Sequence, residues 1–160
     1  MTTTNLAPLK SLRTVLYFVL VFCFSCNDKP TEIVKRYATG EISRRYYEVN
    51  GKKEGLMTEY YINGQVKGEF QFSNDLQIGR AVQYYPNGNI KEVHYYENGL
   101  KHGGDTILHE NGKPEFTMQF IHGKKDGYLR TWSADGELIF EALYDKDSLI
   151  EVKGQRIVQE

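Results

Sequence analysis

The sequence predicts an all-β fold: an elongated single antiparallel meander sheet of repeated 24-residue β-hairpins. Glycines 40, 64, 88, 112 and 136 recur at a constant 24-residue step. A second series, Gly55, Gly79, Gly103 and Gly127, keeps the same step. Between the glycines, polar and apolar residues alternate, which is the period of a strand with one half-buried face. A fixed period of this length marks one supersecondary unit copied along the chain.

Residues 1–25 read as a signal peptide outside the fold. Lys10 and Arg13 precede an apolar run from Val15 to Phe24, and polarity begins at once with Asn27-Asp28-Lys29-Pro30. The run is too short for a spanning helix and has the order of a secretory leader. Residues 26–36 then form a linker and first strand, with Thr31 to Ala38 as the strand itself. Five hairpin copies follow over 37–147, and 148–160 is a closing strand and tail. Gly would be expected near 147 and 151, where Asp147 and Glu151 stand, so the last copy decays and Leu149 to Val158 reads as one strand.

Within a copy, Tyr84-Tyr85-Pro86-Asn87-Gly88 specifies a turn. Proline pre-sets φ for the second position of a type I turn, Asn suits the third, and Gly enters the left-handed region. The result is a three-residue hairpin loop with a bulge. It pairs Tyr60 with Val66, Tyr84 with Ile90 and Trp132 with Leu138. A two-residue Asn-Gly loop would instead bury Lys67 and Lys91 opposite aromatics. Gly40, Gly64, Gly88, Gly112 and Gly136 are therefore structural turn residues. The apolar face takes Tyr60, Tyr84 and Trp132 with Phe70, Phe72, Tyr96 and Phe120. The other face carries Tyr47, Tyr61, Tyr85 and Tyr95, with Tyr61 and Tyr85 as a ladder. These four tyrosines are the candidate partner-binding residues, because tyrosine is enriched in recognition surfaces. The return connection, Tyr96 to Gly103, reads as a longer polar turn. Five copies give about ten strands, spaced about 4.8 Å apart. No amphipathic helix is visible to cover the apolar face, so either the sheet curls on itself or a partner supplies a second layer.

The aromatic pair followed by Asn-Gly, a strand and Asn-Gly-Lys-x-x-Gly resembles the MORN repeats in their bacterial variant form. Here these are Tyr60-Tyr61-Ile62-Asn63-Gly64, Tyr84-Tyr85-Pro86-Asn87-Gly88 and Asn98-Gly99-Leu100-Lys101-His102-Gly103. The likeness runs from about Tyr37 to Asp147. It departs at Leu108-His109, at Trp132-Ser133 and at Asp75, which replaces a glycine. The resemblance implies a non-catalytic interaction module; some bacterial members are labelled antitoxin-like. Similarly, Phe24-Ser25-Cys26 resembles a bacterial lipoprotein signal, although Cys23 stands where a leucine-like residue is usual. That resemblance implies lipidation of Cys26, a membrane attachment through the lipid, and a place in the cell envelope. Asn27 is not an acidic retention residue, which leans towards the outer membrane.

The composition excludes several function classes. The chain has 20 basic and 21 acidic residues. Without Lys10 and Arg13 the balance is 18 against 21, a net of −3, and a weakly acidic chain is a poor phosphate-backbone binder. Nucleic acid is therefore not an expected partner. With Cys23 lost in the leader, Cys26 is the sole mature cysteine, so no intramolecular disulfide forms. His94, His102, His109 and His122 occupy four different phases of the repeat, so no metal site is expected from them. Ser43, Ser73, Ser133 and Ser148 lack a glycine-elbow context, and Glu69, Glu92, Glu115 and Glu141 share no common offset. The Gly-Lys steps lack phosphate-loop spacing. The expectation is thus a non-enzymatic envelope lipoprotein without cofactors that binds an unidentified envelope protein. Its alternatives are an antitoxin-like neutraliser of a toxin and a carbohydrate-binding or carbohydrate-processing envelope protein.

Overall fold

The computed structural model of the protein describes residues 29–153 and 155–156. The leader expected over 1–25 and Cys26 lie outside the described residues. The strands are β1 (Thr31–Arg36), β2 (Ile42–Val49), β3 (Lys52–Tyr60), β4 (Val66–Ser73), β5 (Leu76–Tyr84), β6 (Ile90–Glu97) and β7 (Leu100–Lys101). They continue as β8 (Gly103–Leu108), β9 (Pro114–Ile121), β10 (Lys124–Lys125), β11 (Gly127–Trp132), β12 (Leu138–Asp145), β13 (Ser148–Val152) and β14 (Gln155–Arg156). All belong to one antiparallel 14-stranded sheet in which neighbours in sequence are neighbours in space. The short β7 and β10 pair with the same strands as β8 and β11, so each is the start of a run broken at one residue. Counted as runs, five hairpins give the ten expected strands. β13 and β14 are an additional pair, not the single closing strand from Leu149 to Val158: β14 folds back on β13 at Val152↔Gln155.

Each copy turns at its glycine for a visible reason. The five turn glycines have φ between 81° and 103°, which L side chains adopt only under strain. The Tyr61 amide donates to the Gln65 carbonyl at 2.8 Å, and the Gly64 amide donates to the Tyr61 carbonyl at 2.9 Å. Equivalent pairs recur at Tyr37, Tyr85, His109 and Ser133. This is the expected type I turn with a left-handed glycine. In three copies the asparagine side chain also accepts the amide two residues on, as Asn63 does from Gln65 at 3.0 Å.

The return connections differ from expectation. They are tight two-residue loops closed by the pairs Val49↔Lys52, Ser73↔Leu76, Glu97↔Leu100, Ile121↔Lys124 and Asp145↔Ser148. Both loop residues have positive φ in every copy, for example Asn98 at 50° and Gly99 at 81°, which defines a type I′ turn. Successive return turns stack. The Gly99 amide donates to the Gln77 carbonyl at 2.9 Å, and the Gly123 amide to the Lys101 carbonyl at 2.7 Å. Asp75 and Asp147 fill the glycine position with φ of 69° and 73°. Each Asp carboxylate also accepts the amide of the residue its own backbone contacts, Lys53 or Lys125, at 2.8 Å. Asp147 therefore continues the repeat with an added hydrogen bond, where the sequence suggests decay.

The register confirms the expected pairs Tyr60↔Val66, Tyr84↔Ile90 and Trp132↔Leu138. One residue further on, a bulge shifts it: Glu59 faces Gly68 and Gln83 faces Glu92, leaving Lys67 and Lys91 as extra residues. The shift moves the strand-end aromatics to the opposite face from Phe70 and Phe72. The Tyr84 hydroxyl accordingly donates to the Glu69 carboxylate at 2.8 Å, beside Val82 on what we term the second face. The first face carries the pairs Met57↔Phe70, Ala81↔His94, Asp105↔Met118 and Leu129↔Ala142. On the second face stand Thr58↔Glu69, Val82↔Val93, Thr106↔Thr117 and Arg130↔Glu141. Burial concentrates along the first-face column, at Met57, Ala81, Met118 and Ala142, with Val82 buried on the second face. No helix and no second layer stand among the described residues.

With so thin a core, cohesion comes from ties between copies. The hydroxyls of Tyr37, Tyr61 and Tyr85 each donate at 2.6 Å to a backbone carbonyl of the next copy, at Tyr60, Tyr84 and Leu108. His109 takes the same place, its Nε2 3.0 Å from the Trp132 carbonyl. Tyr61 and Tyr85 are thus half-buried internal donors, not the solvent-facing ladder that their sequence position suggests. Tyr85→Phe should lower stability by about 1 kcal/mol, the net value of one hydrogen bond. Tyr95→Phe, which breaks no such tie, should leave the denaturation midpoint unchanged. Chemical denaturation of the two variants, with equal midpoints as the contrary result, checks this.

Candidate functional site

Three groups of side chains break the repeat in ways the turns and ties do not require. The first is a polar cluster in the buried column of the first face. His94 stands on β6 where the other copies carry Tyr46, Phe70, Met118 and Ala142. Asp105 stands on β8 where they carry Ile33, Met57, Ala81 and Leu129. His94 Nδ1 lies 2.6 Å from Asp105 Oδ1, and Nε2 lies 3.1 Å from Glu92 Oε2. Lys101 Nζ reaches Asp105 Oδ2 at 2.5 Å, Lys91 Nζ lies 3.0 Å from Glu92 Oε1, and Gln83 donates to Glu92 at 2.8 Å.

Electrostatics follows from this arrangement. The hydrogen bond to Asp105 raises the His94 pKa, outweighing burial, and Glu92 adds to the rise. Burial pushes Asp105 up, but the hydrogen bonds from His94 and Lys101 hold its carboxyl below the usual range. Burial likewise works against Glu92, and Lys91 and His94 outweigh it. The bond to Glu92 raises Lys91 in turn. Both imidazole nitrogens point at carboxylates, which favours the charged ring and leaves no nitrogen free for general-base work. The cluster is a hydrogen-bonded ionic plug in an apolar column. It was legible in principle, because Asp105 is the one acidic residue in an otherwise apolar repeat position.

The second group lies at the return-turn edge. Glu97 Oε2 is 3.3 Å from His102 Nδ1 and 3.6 Å from His122 Nδ1. The two imidazole centroids are 4.8 Å apart. The expectation that four histidine phases keep the rings apart fails for this pair. Stacked return turns set residue 122 against the strand start near 101, so a spacing of 20 residues becomes a contact. His94 and His109 stay apart from them, each bound into the sheet.

The third group is apolar. Tyr47, Leu56, Leu76, Tyr95, Leu100, Ile121 and Tyr128 are each between 38% and 51% exposed. By strand alternation from Thr58, Val82, Val93, Thr117 and Arg130 they share the second face, towards the return turns. Leu76 and Leu100 lean on the following turn: a Cβ added to Gly99 would sit 3.3 Å from Leu76 Cδ2, and one added to Gly123 would sit 3.5 Å from Leu100 Cδ2. The Arg130 guanidinium stacks over Tyr128 at 4.5 Å. Of the four tyrosines expected to bind a partner, Tyr47 and Tyr95 belong to this group, while Tyr61 and Tyr85 do not.

The family model for the MORN repeat variant matches residues 53–74 and 77–98, two successive copies of the hairpin. No curated protein matches the chain. A solved structure, the crystal structure of accessory secretory protein 1,2 and 3 in Streptococcus pneumoniae, is similar to 66% of this chain. That likeness has 15% sequence identity and a TM-score of 0.38, and this chain spans 19% of that one.

The cluster's stability should depend on pH on both sides. Stability from His94 is fully present below the ordinary histidine value of about 6.5. It is lost as pH rises through the raised folded value. Stability from Glu92 and Asp105 is present above ordinary carboxylate values of about 4. It is lost as pH falls through their lowered values. Thermal midpoints should therefore peak in the mildly acidic range and decline on the alkaline side. Asp105→Met alone, leaving His94 and Lys101 facing an apolar residue, should cost about 3 kcal/mol. The double replacement His94→Phe with Asp105→Met copies the Met57↔Phe70 pair of the same sheet. It should recover most of that loss and flatten the alkaline decline; melts across pH that show the same slope as the parent would contradict the assignment.

Proposed function

We propose that this chain of MORN-type repeats is a non-catalytic protein-interaction module that docks a partner on the second face of its sheet. The supporting observation is the row of half-exposed tyrosine, leucine and isoleucine side chains on a face with no second layer among the described residues. A contiguous apolar row is a common mark of protein recognition, and tyrosine supplies contact area at little entropic cost. Strand spacing fixes the row's pitch at about 4.8 Å, so a partner with regularly placed apolar groups is met along its length. The MORN repeat variant match supports the same reading of a repeat-based interaction module.

We further propose that the module is tethered to the cell envelope through a lipid on Cys26, at the outer membrane. The support is in the sequence alone: the basic start, the apolar run, and Ser25-Cys26 followed by polar residues. The tether leaves few residues before β1, so the sheet would work close to the membrane.

Two experiments test these proposals. In capture from an envelope fraction, the double variant Tyr95→Glu with Leu100→Glu should lose the partner that the parent chain retains. Tyr85→Phe should keep it, since its hydroxyl is spent inside the sheet. A partner retained equally by all three would rule out the second face. For the tether, metabolic lipid label should enter the parent protein and vanish in Cys26→Ala; label persisting in that variant would rule out Cys26.

A further inference from the structure

We propose that Glu97, His102 and His122 form a binding site for a divalent transition-metal ion of the zinc type, where two successive return turns meet. Two imidazoles and one carboxylate are a donor set suited to such an ion, with remaining positions left for water or an incoming donor. Two of the three separations fit as they stand. Bonds of about 2.0–2.1 Å in a tetrahedral site place ligand atoms about 3.4 Å apart. The Glu97 oxygen stands 3.3 Å from one ring nitrogen and 3.6 Å from the other, and all three donor atoms lie within 4.8 Å.

The same distances are poor for hydrogen bonds. Nitrogen–oxygen bonds cluster at about 2.9–3.0 Å, and at 3.6 Å there is none. His102 Nδ1 also lies 3.4 Å from the His122 backbone amide nitrogen, again longer than a good hydrogen bond. The three groups are arranged around a common point without satisfying one another.

The repeat shows that the fold does not call for these residues. At the turn position of His122, other copies carry Asn50, Asn74, Asn98 and Lys146. At the position of His102 they carry Glu54, Ile78, Asp126 and Ile150. Two histidines that break the pattern in adjacent copies are nevertheless brought into contact. Both are on short, backbone-bonded segments: His122 occupies a type I′ turn with φ of 48°, and the next residue's amide is bound to Lys101. Such a frame fixes the backbone from which the ligands project. Their side chains are 53%, 39% and 70% exposed, in the order Glu97, His102 and His122, so an ion enters from solvent directly.

The test is zinc titration of the full-length protein by calorimetry, with cobalt as a spectroscopic substitute. One ion per chain, a thermal midpoint that rises with zinc, and visible cobalt bands of low-symmetry coordination are the expected results. His122→Asn restores the residue used in three other return turns, and Glu97→Ser restores that of the preceding copy, so both should fold. Each should weaken binding about tenfold or more. Absence of binding by the parent chain, or equal affinity in the parent and both variants, would overturn the site.

Discussion

Each hairpin is held to the next by hydrogen bonds that end on backbone carbonyls, and the rest of the structure depends on that constraint. At one edge of the sheet the donors are the side chains of Tyr37, Tyr61, Tyr85 and His109. At the other edge they are the amides of the stacked return turns. A single-layer sheet cannot bury side chains between layers, so its apolar contribution is small and lies mostly along one column, with Val82 on the opposite face. Ties at both edges hold successive copies in register, and the column lies between them. Stability of this kind is local, a sum over copies and the junctions between them.

The same economy explains where polar chemistry is tolerated. The His94–Asp105 pair is accommodated mid-column because Glu92, on the same strand as His94 and itself paired with Lys91, and Lys101, from the run that leads into β8, reach it. An isolated carboxylate there would be costly, whereas a hydrogen-bonded chain of opposite charges is close to neutral against an apolar pair. Lysine stems serve the face in a second way: Lys53, Lys101 and Lys125 lie over the rings of Phe72, Phe120 and Tyr144 at 5.0–5.3 Å. They shield aromatics that no second layer covers.

Much of this was legible in the residues. The glycine step specified the repeat, and Pro-Asn-Gly chemistry specified the three-residue loop and the pairing of Tyr60 with Val66. The bulge at Lys67 was not legible, because an extra residue at the same place in each copy leaves the 24-residue period intact while flipping the face of everything beyond it. That flip reversed the assignment of Tyr60 and Tyr84, and with it that of Tyr61 and Tyr85. The return turns were misread in length. Asn98-Gly99 is a strong two-residue hairpin signal, but the polar run from Tyr96 to Gly103 masks how early β7 begins, and Asp147 at the glycine position suggested decay although its φ of 73° keeps the turn. The approach of His102 to His122 depends on stacking between copies, which the phase within one copy does not encode.

The tyrosine ties have a consequence for how such a chain can change length. Each hydroxyl grips a carbonyl, a group every residue supplies, so the grip does not depend on which copy comes next. Excising the segment from Tyr61 to Tyr84 would bring Tyr60 directly before Tyr85, and Tyr37 would still find the Tyr60 carbonyl ahead of it. Whole units can thus be gained or lost by recombination without any compensating change at the seam. The Glu97, His102 and His122 group has no such freedom. It exists only while two particular units remain adjacent, so losing a unit, or inserting one between them, would dismantle it.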